Sequence, residues 1–225
     1  MIDYLEGAAE NCIFRGELVE YARRIRERYP KSIYDHRPYL PKLDPARAEW
    51  MMTEQFRVGY ACFKREVAKV LAPKNIVEIG VGLGVSALAF MDGCPTAHYS
   101  GIDNNLESGK DFPVIPTEFV SERLRIAGYT DYNIIVEDSK NIKFLPKVDL
   151  VHVDGDHDYA TAINDVLLAW TSNSPWILVD DCRDSTVASA VMWVMQQYHA
   201  GSTDWAYFED TWTGSILICR EKSRP

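Results

Sequence analysis

Two groups of acidic residues stand out for the chemistry that they could perform together. Residues 154–158 read Asp-Gly-Asp-His-Asp and residues 180–181 read Asp-Asp, and each group directly follows an apolar segment. So many like charges close together are costly unless a positive charge lies among them, and a divalent cation is the simplest one. Oxygen ligands without cysteines or several histidines favour Mg²⁺, Mn²⁺ or Ca²⁺ over Zn²⁺. The alternative is that these acids cap the helices that follow, because Asp is a preferred N-cap residue.

A glycine-rich loop is the second candidate site. A short apolar segment interrupted by Glu78 is followed by Gly80, Gly82 and Gly84. Glycines at this spacing allow the backbone to turn tightly and to approach a ligand where a Cβ atom would collide with it. Ser86 opens a segment of good helix formers, so the loop would present free helix N–H groups. The pattern predicts a loop that binds a nucleotide-type cofactor, and an ordinary turn is the alternative.

Acids near this loop indicate which kind of cofactor it binds. Asp103 ends a second apolar segment about twenty residues after the glycines, with Asn104 beside it, and a carboxylate there can accept two ribose hydroxyls. The carboxylate of Glu78 would repel a pyrophosphate, yet it suits a cofactor that carries a positive charge and an amino group. If the loop is instead aligned with the G-x-G-x-x-G/A motif of dinucleotide-binding sites, Gly80 has no role.

The elements that must position these residues alternate along the chain. Periodicity predicts strands over residues 76–79, 98–103, 132–136, 148–153 and 176–179, a closing hairpin over residues 205–208 and 215–219, and helices over residues 1–29, 45–71, 86–91, 117–127, 159–170 and 184–198. Right-handed crossovers make the first five strands parallel, so both acidic groups and the glycine loop emerge at one edge of an α/β sheet. We expect one structural domain, with residues 1–73 as a helical extension and residues 74–225 as the core.

Composition narrows the class of protein. The chain has 225 residues, enough for one α/β domain with an appendage, and no apolar run approaches the ~20 residues of a membrane span. Five scattered cysteines without a C-x-x-C motif, and no visible secretory signal, predict a cytoplasmic protein with reduced thiols. The net charge of −9 argues against nucleic acid as a partner. A small molecule is the expected partner, and the oligomeric state stays open between a monomer and a homo-oligomer.

The run Val-Glu-Ile-Gly-Val-Gly-Leu-Gly at residues 77–84, with an acid downstream, resembles the first two motifs of the class I S-adenosylmethionine-dependent methyltransferases. The resemblance implies a Rossmann-like, doubly wound, mostly parallel seven-stranded sheet with an antiparallel C-terminal strand. It also implies that the glycine loop passes the methionine part of S-adenosylmethionine and that Asp103 holds the ribose. Asp138 and Ser139, after the third strand, are then the candidates to meet the adenine amino group.

Residues 153–157 and 179–181 resemble motifs of the metal-dependent small-molecule O-methyltransferases, particularly the sugar enzymes of macrolide and aminocoumarin biosynthesis and the cephalosporin hydroxylase-like group. The catechol O-methyltransferases are more distant. This resemblance covers about residues 74–182. It implies that Asp154, which also neighbours the cofactor, binds a divalent cation, most simply Mg²⁺, together with Asp180 and Asp181. Either His157 or Asp156 would then be the base.

The sequence therefore predicts an enzyme that transfers the methyl group of S-adenosylmethionine to a hydroxyl of a natural product or sugar, assisted by a metal. One alternative is an NAD(P)-dependent oxidoreductase, which Glu78, the acidic groups and the lack of a clear Tyr-x-x-x-Lys pair disfavour. The other is a non-catalytic cofactor-binding protein that kept the fold.

Overall fold

The computed structural model describes residues 17–39, 49–104, 117–198 and 203–220. The seven strands of these ranges are β1 Asn75–Ile79, β2 His98–Asp103, β3 Tyr132–Val136, β4 Leu150–Val153, β5 Trp176–Val179, β6 Asp204–Phe208 and β7 Ser215–Cys219. The longer helices are α1 Glu17–Arg28, α2 over residues 54–71, α3 Val85–Gly93, α4 Thr117–Ile126, α5 Tyr159–Thr171 and α6 Ser185–Gln197. Each predicted strand is present, with bounds that differ by two residues at most.

The strands form one sheet in the order β3-β2-β1-β4-β5-β7-β6. Strands β1 to β5 are parallel, and β7 is antiparallel to both β5 and β6. The order reverses between β1 and β4, and the carboxyl ends on either side of such a reversal are where open α/β sheets bind ligands. The predicted fold class, including the antiparallel end of the sheet, is confirmed.

Strand alternation sends neighbouring residues to opposite faces of the sheet. Ile76, Leu150 and Leu178 pack with residues of α1, α2 and α3 on one face. On the other face, Val77, Val151 and Ile177 pack with residues of α5 and α6. Because the side-chain period of a strand is two, Glu78 and His152 share the face of α2. Two buried charged residues thus sit on an otherwise apolar face.

Helix α2 departs from the regular α-helix in its middle. Its segment Arg57–Cys62 is a π-helix, a feature frequent at functional sites. A Cβ atom on Gly59 would lie 2.9 Å from the backbone nitrogen of Trp212, so glycine lets the loop after β6 pack closely. The start of the helix predicted over residues 45–71 falls on residues 40–48, outside the described ranges. The first part of the helix predicted over residues 1–29 falls on residues 1–16, which also lie outside them. In the described part, Thr53 caps the helix.

None of the described helices combines the length and the apolar character needed to cross a bilayer.

Candidate active site

The glycine loop between β1 and α3 lines one side of a cavity of about 620 Å³. Gly80 has a φ of 83°, and a Cβ atom on it would lie 2.0 Å from the carbonyl oxygen of Asp154. Glycine is therefore what lets the loop pack against the end of β4. Gly82 has a φ of 49° and no atom within 4 Å of the position of a Cβ atom. Gly80 thus serves close packing, Gly82 leaves room for a ligand, and Gly84 is the N-cap of α3.

Asp103 ends β2 beside this loop and fixes its backbone. Its Oδ2 atom accepts the N–H groups of Val81 at 3.0 Å and Gly82 at 2.9 Å. Asp103 and Asn104 both line the cavity. The structure therefore brings these two predicted cofactor residues to the loop that they were expected to serve.

Asp138 and Ser139 line the cavity after β3. The carboxylate of Asp138 accepts the N–H of Lys140 at 2.9 Å and so caps a short turn. The same residue thus has a local structural role and faces the expected adenine side. Asp165 of α5, which the sequence reasoning missed, also lines this side, and burial raises the pKa of its carboxyl.

Four charged side chains are buried together at the carboxyl ends of β1, β4 and β5, and we call them the inner cluster: Lys64, Glu78, His152 and Asp180. Glu78 lies 2.8 Å from Nδ1 of His152 and also accepts the hydroxyls of Ser86 and Tyr99. Glu78 and Ser86 are 0% and 1% exposed, and neither lines the cavity. The geometry does not support their predicted contact with the cofactor, because strand alternation turns Glu78 toward α2, behind the loop.

Asp180 has a donor at each carboxylate oxygen. Its Oδ2 accepts the Nζ of Lys64, a residue of α2, and its Oδ1 accepts the hydroxyl of Ser215 at 2.7 Å. Nε2 of His152 lies 3.6 Å from Oδ2. The side chains of Lys64 and Asp180 are each 1% exposed, so this ion pair is shielded from water.

The buried charges of the inner cluster shift the pKa values of His152 and Asp180. Burial disfavours charge on His152, but the carboxylates of Asp180 and Glu78 outweigh it and raise the pKa of His152 to about 9. Burial would raise the pKa of Asp180, but Lys64 and His152 hold it well below its ordinary range. At neutral pH His152 is therefore cationic and Asp180 is a carboxylate.

Four further residues line the cavity at the same edge of the sheet, and we call them the outer cluster: Asp154, Asp156, His157 and Asp181. Nε2 of His157 lies 2.9 Å from Oδ2 of Asp181, and its Nδ1 lies 3.8 Å from Asp184. Oδ2 of Asp154 accepts the hydroxyl of Tyr60, a residue of α2, at 2.5 Å. The structure thus brings both candidate bases and two of the three predicted metal ligands into one cavity wall.

Helix capping explains acidic residues that are not predicted metal ligands. Asp158 caps α5, and Asp184 caps α6. The alternative explanation of the acidic groups therefore holds for Asp158 but does not extend to Asp154, Asp180 or Asp181, none of which is the N-cap of a described helix.

Charges in the outer cluster shift the pKa of two groups upward. The hydrogen bond with Asp181 raises the pKa of His157 to about 9, although its side chain is half exposed. Burial, with the neighbouring charges of Asp180 and Asp181, raises the pKa of Asp154. His157 is therefore mostly cationic at neutral pH and becomes a base as the pH approaches 9.

The three predicted metal ligands do not fit one divalent cation as they stand. Mg²⁺ needs near-octahedral oxygen ligands at about 2.0–2.1 Å, whereas Asp180 belongs to the inner cluster and already holds an ammonium group. Among the described residues, one group of three acidic or histidine side chains has ligand atoms that all lie within 4.8 Å of one another, and it consists of Glu78, His152 and Asp154. Two of these three residues, Glu78 and His152, belong to the inner cluster and do not line the cavity.

Aromatic side chains form another part of the cavity wall and reach the outer cluster through Tyr60. Trp50 stacks on Trp212 with ring centroids 6.0 Å apart, and Phe56 stacks on Tyr60 at 4.7 Å. All four line the cavity together with Met51. This wall comes from α2, the turn before it and the loop after β6, which no motif in the sequence identified.

Sequence reasoning also missed Lys64 and Tyr60. Both lie on the apolar-patterned helix α2, where Lys64 follows Tyr60 by one helical turn. A lysine four residues after a tyrosine carries no motif, so only the fold reveals that both reach the acids.

Comparison with known proteins agrees with this geometry. Residues 77–182 match the family model described as a methyltransferase domain. Together with the fold, this match agrees with the predicted methyltransferase class and with the expectation of an enzyme.

Solved structures with the same fold include several methyltransferases. The O-methyltransferase TomG from Streptomyces achromogenes, involved in tomaymycin synthesis and solved with S-adenosylmethionine, has a TM-score of 0.57 at 14% identity over 82% of this chain and 90% of its own. The O-methyltransferase NovP has a TM-score of 0.59 at 12% identity, covering 73% and 81%. The Podospora anserina methyltransferase PaMTH1, bound to S-adenosylhomocysteine, has a TM-score of 0.52 at 19% identity, covering 98% and 95%. No curated protein matches the chain by sequence.

Proposed function

We propose that this protein transfers the methyl group of S-adenosylmethionine to a hydroxyl of a small molecule. The observation that carries the proposal is a single cavity that joins the glycine loop and Asp103 to His157 and to an aromatic wall. Its volume of about 620 Å³ falls within the roughly 300–1,000 Å³ of small-molecule sites.

The residues of the cavity fit S-adenosylmethionine. Gly82 leaves open space beside the loop, and Asp103, Asp138 and Ser139 line the cavity, which supports their proposed contacts with the ribose and the adenine. Carboxylates around the cavity favour a cationic cofactor. When bound, S-adenosylmethionine supplies an electrophilic methyl group on a positively charged sulfur.

His157 is the proposed base. The hydrogen bond between its Nε2 and Asp181 fixes the imidazole ring, so that Nδ1 is the atom that accepts a proton when the ring is neutral. His157 would take the hydroxyl proton of the acceptor as its oxygen attacks the methyl carbon. Asp156, which also lines the cavity, remains the alternative base. The aromatic wall would hold the apolar part of the acceptor at a fixed distance from the base.

A direct test combines cofactor binding with product analysis. Calorimetry should show that S-adenosylhomocysteine binds and that NADH does not. Incubation with isotope-labelled S-adenosylmethionine and a panel of phenols, sugars and polyketides should give a product with one added, labelled methyl group on oxygen. The matched control is His157→Gln, which should keep cofactor binding and lose product.

Three outcomes would count against the proposal. Binding of NADH without binding of S-adenosylhomocysteine would favour the oxidoreductase. Cofactor binding without product from any acceptor would favour the non-catalytic protein. A methyl group found on nitrogen or carbon would move the activity to another class of acceptor.

A further inference from the structure

We propose that Lys64 takes the place of a divalent cation among the acids at the carboxyl ends of β4 and β5, so that methyl transfer proceeds without a bound metal. The catalytic part of this inference rests on the proposed function. The part that concerns metal binding does not, and it is tested separately.

The first support is the position of the positive charge. Nζ of Lys64 contacts the carboxylate of Asp180 within a pair whose side chains are each 1% exposed. A divalent cation bound to Asp180 would lie next to this ammonium group, and two positive charges in a buried site repel each other strongly. The positive charge that these acidic residues need is therefore already provided by the ammonium group of Lys64.

The second support is the way α2 also engages Asp154. The Lys64 ammonium lies 3.3 Å from the centroid of the Tyr60 ring, and the Tyr60 hydroxyl donates to Asp154 at 2.5 Å. One helical turn therefore supplies partners to two of the three predicted metal ligands. The third, Asp181, faces His157 at 2.9 Å. Each of the three carboxylates already has a protein partner.

The third support is that α2 is held rigidly in this place. The backbone N–H of Trp212 donates to the carbonyl oxygen of Gly59 at 3.0 Å, within the π-helical segment that precedes Lys64. Phe63, next to Lys64, is fully buried in the core of that sheet face. Withdrawal of Lys64 to make room for a metal would therefore break both the ion pair and well-packed structure.

The consequence for catalysis concerns the acceptor proton. A metal would lower the pKa of the acceptor hydroxyl by binding its oxygen. If Lys64 occupies the position of the metal, the pair of His157 and Asp181 must remove the acceptor proton. Lys64 is then a positioning residue, which holds Asp180 and the Tyr60 ring without touching the acceptor.

The test measures Mn²⁺ binding by electron paramagnetic resonance and calorimetry, with no need for an acceptor. Wild-type protein should show no site tighter than about 1 mM, the weak limit of protein sites for divalent cations. Lys64→Ala, which removes the cation and leaves a space beside Asp180, should bind one Mn²⁺ at least tenfold more tightly. Lys69→Ala, on the same helix but paired with Glu66 at 3.7 Å and partly exposed, is the matched control and should behave as wild type.

The result that overturns the proposal is a stoichiometric, micromolar Mn²⁺ site in the wild-type protein that Asp154→Asn or Asp181→Asn abolishes. Equal binding in wild type and a folded Lys64→Ala would overturn it as well. If Lys64→Ala does not fold, the wild-type titration alone decides. Calorimetry with S-adenosylhomocysteine on the same samples distinguishes this failure from failure of the proposed function. Binding of S-adenosylhomocysteine together with a tight Mn²⁺ site would overturn only the inference about Lys64. Once an acceptor is known, turnover should stay within twofold in EDTA.

Discussion

The inner and outer clusters each contain acidic residues and one histidine, yet only the inner cluster has a lysine, and their surroundings differ. The inner cluster is shut off from the cavity, and its carboxylates meet an ammonium and an imidazolium. The outer cluster lines the cavity, and its histidine is half exposed. Asp180 and Asp181 are neighbours in the chain and belong to different clusters. The difference teaches that acids at the end of a sheet divide into those that hold the fold and those that are open to a ligand.

The largest expected effect comes from the outer cluster. His157→Gln keeps a hydrogen-bonding side chain but cannot accept the proton, so turnover should fall roughly 10²- to 10⁴-fold. Steady-state kinetics with an active acceptor measures this, and the affinity for S-adenosylhomocysteine and the free energy of unfolding should hardly change. Turnover within a few-fold of wild type, with activity lost in Asp156→Asn, would make Asp156 the base.

Substitutions in the inner cluster should lower the stability of the protein. Lys64→Met leaves the buried Asp180 charge without its partner, so the free energy of unfolding should fall by about 3–5 kcal/mol. Urea denaturation measures the change. Lys69→Met, at a partly exposed pair on the same helix, should stay within about 0.5 kcal/mol of wild type. A loss at Lys64 no larger than at Lys69 would remove the distinction between the clusters.

Asp103 combines features of both clusters, because it fixes loop N–H groups and also lines the cavity. Asp103→Ala should weaken S-adenosylhomocysteine binding by about 1.5–3 kcal/mol, roughly tenfold or more, since charged hydrogen bonds are lost. Calorimetry gives the value. Asp103→Asn, which keeps an oxygen for the loop, separates loss of loop structure from loss of the charge. An unchanged affinity in both variants would remove Asp103 from the binding site.

The pH dependence of turnover should follow the outer histidine. Because the pKa of His157 is raised to about 9, turnover should rise with pH up to about 9. Asp181→Asn removes the main cause of that shift, so the midpoint should move down toward the ordinary value of about 6.5. A pH profile measured for both proteins checks this. The same midpoint in both would mean that His157 is not the titrating group.

The pH dependence of stability should follow the inner histidine instead. The pKa of His152 is higher in the folded protein, at about 9, than the ordinary 6.5 of an unfolded chain. Its contribution is therefore complete below about 6.5 and is lost as the pH rises through about 9. Urea denaturation across this range should show a smaller loss in His152→Gln than in His157→Gln, because the pKa of His157 is also raised to about 9 but its half-exposed charge is screened by solvent. A loss that disappears only in His157→Gln would reverse the assignment.

Much of the fold followed from local patterns. The apolar runs of β1, β3 and β5 and the helical periodicity of α5 and α6 placed those elements within two residues of their observed bounds. The glycines and Asp103 also predicted a cofactor loop, because backbone conformation and strand ends depend on nearby residues. The helices predicted over residues 1–29 and 45–71 begin outside the described ranges, so that part of each prediction stays a prediction.

The sequence by itself determined that acids would gather at one edge of a parallel sheet beside a cofactor loop. Tertiary structure alone decided how they divide, because each buried charge needs a partner and the partners come from elsewhere in the chain. Lys64 meets Asp180 across 116 positions, and Tyr60 meets Asp154 across 94. No local pattern encodes such a contact, since it depends on how α2 packs on the sheet. That packing is why Glu78 and Asp180 lie in a closed ionic network with Lys64 and His152.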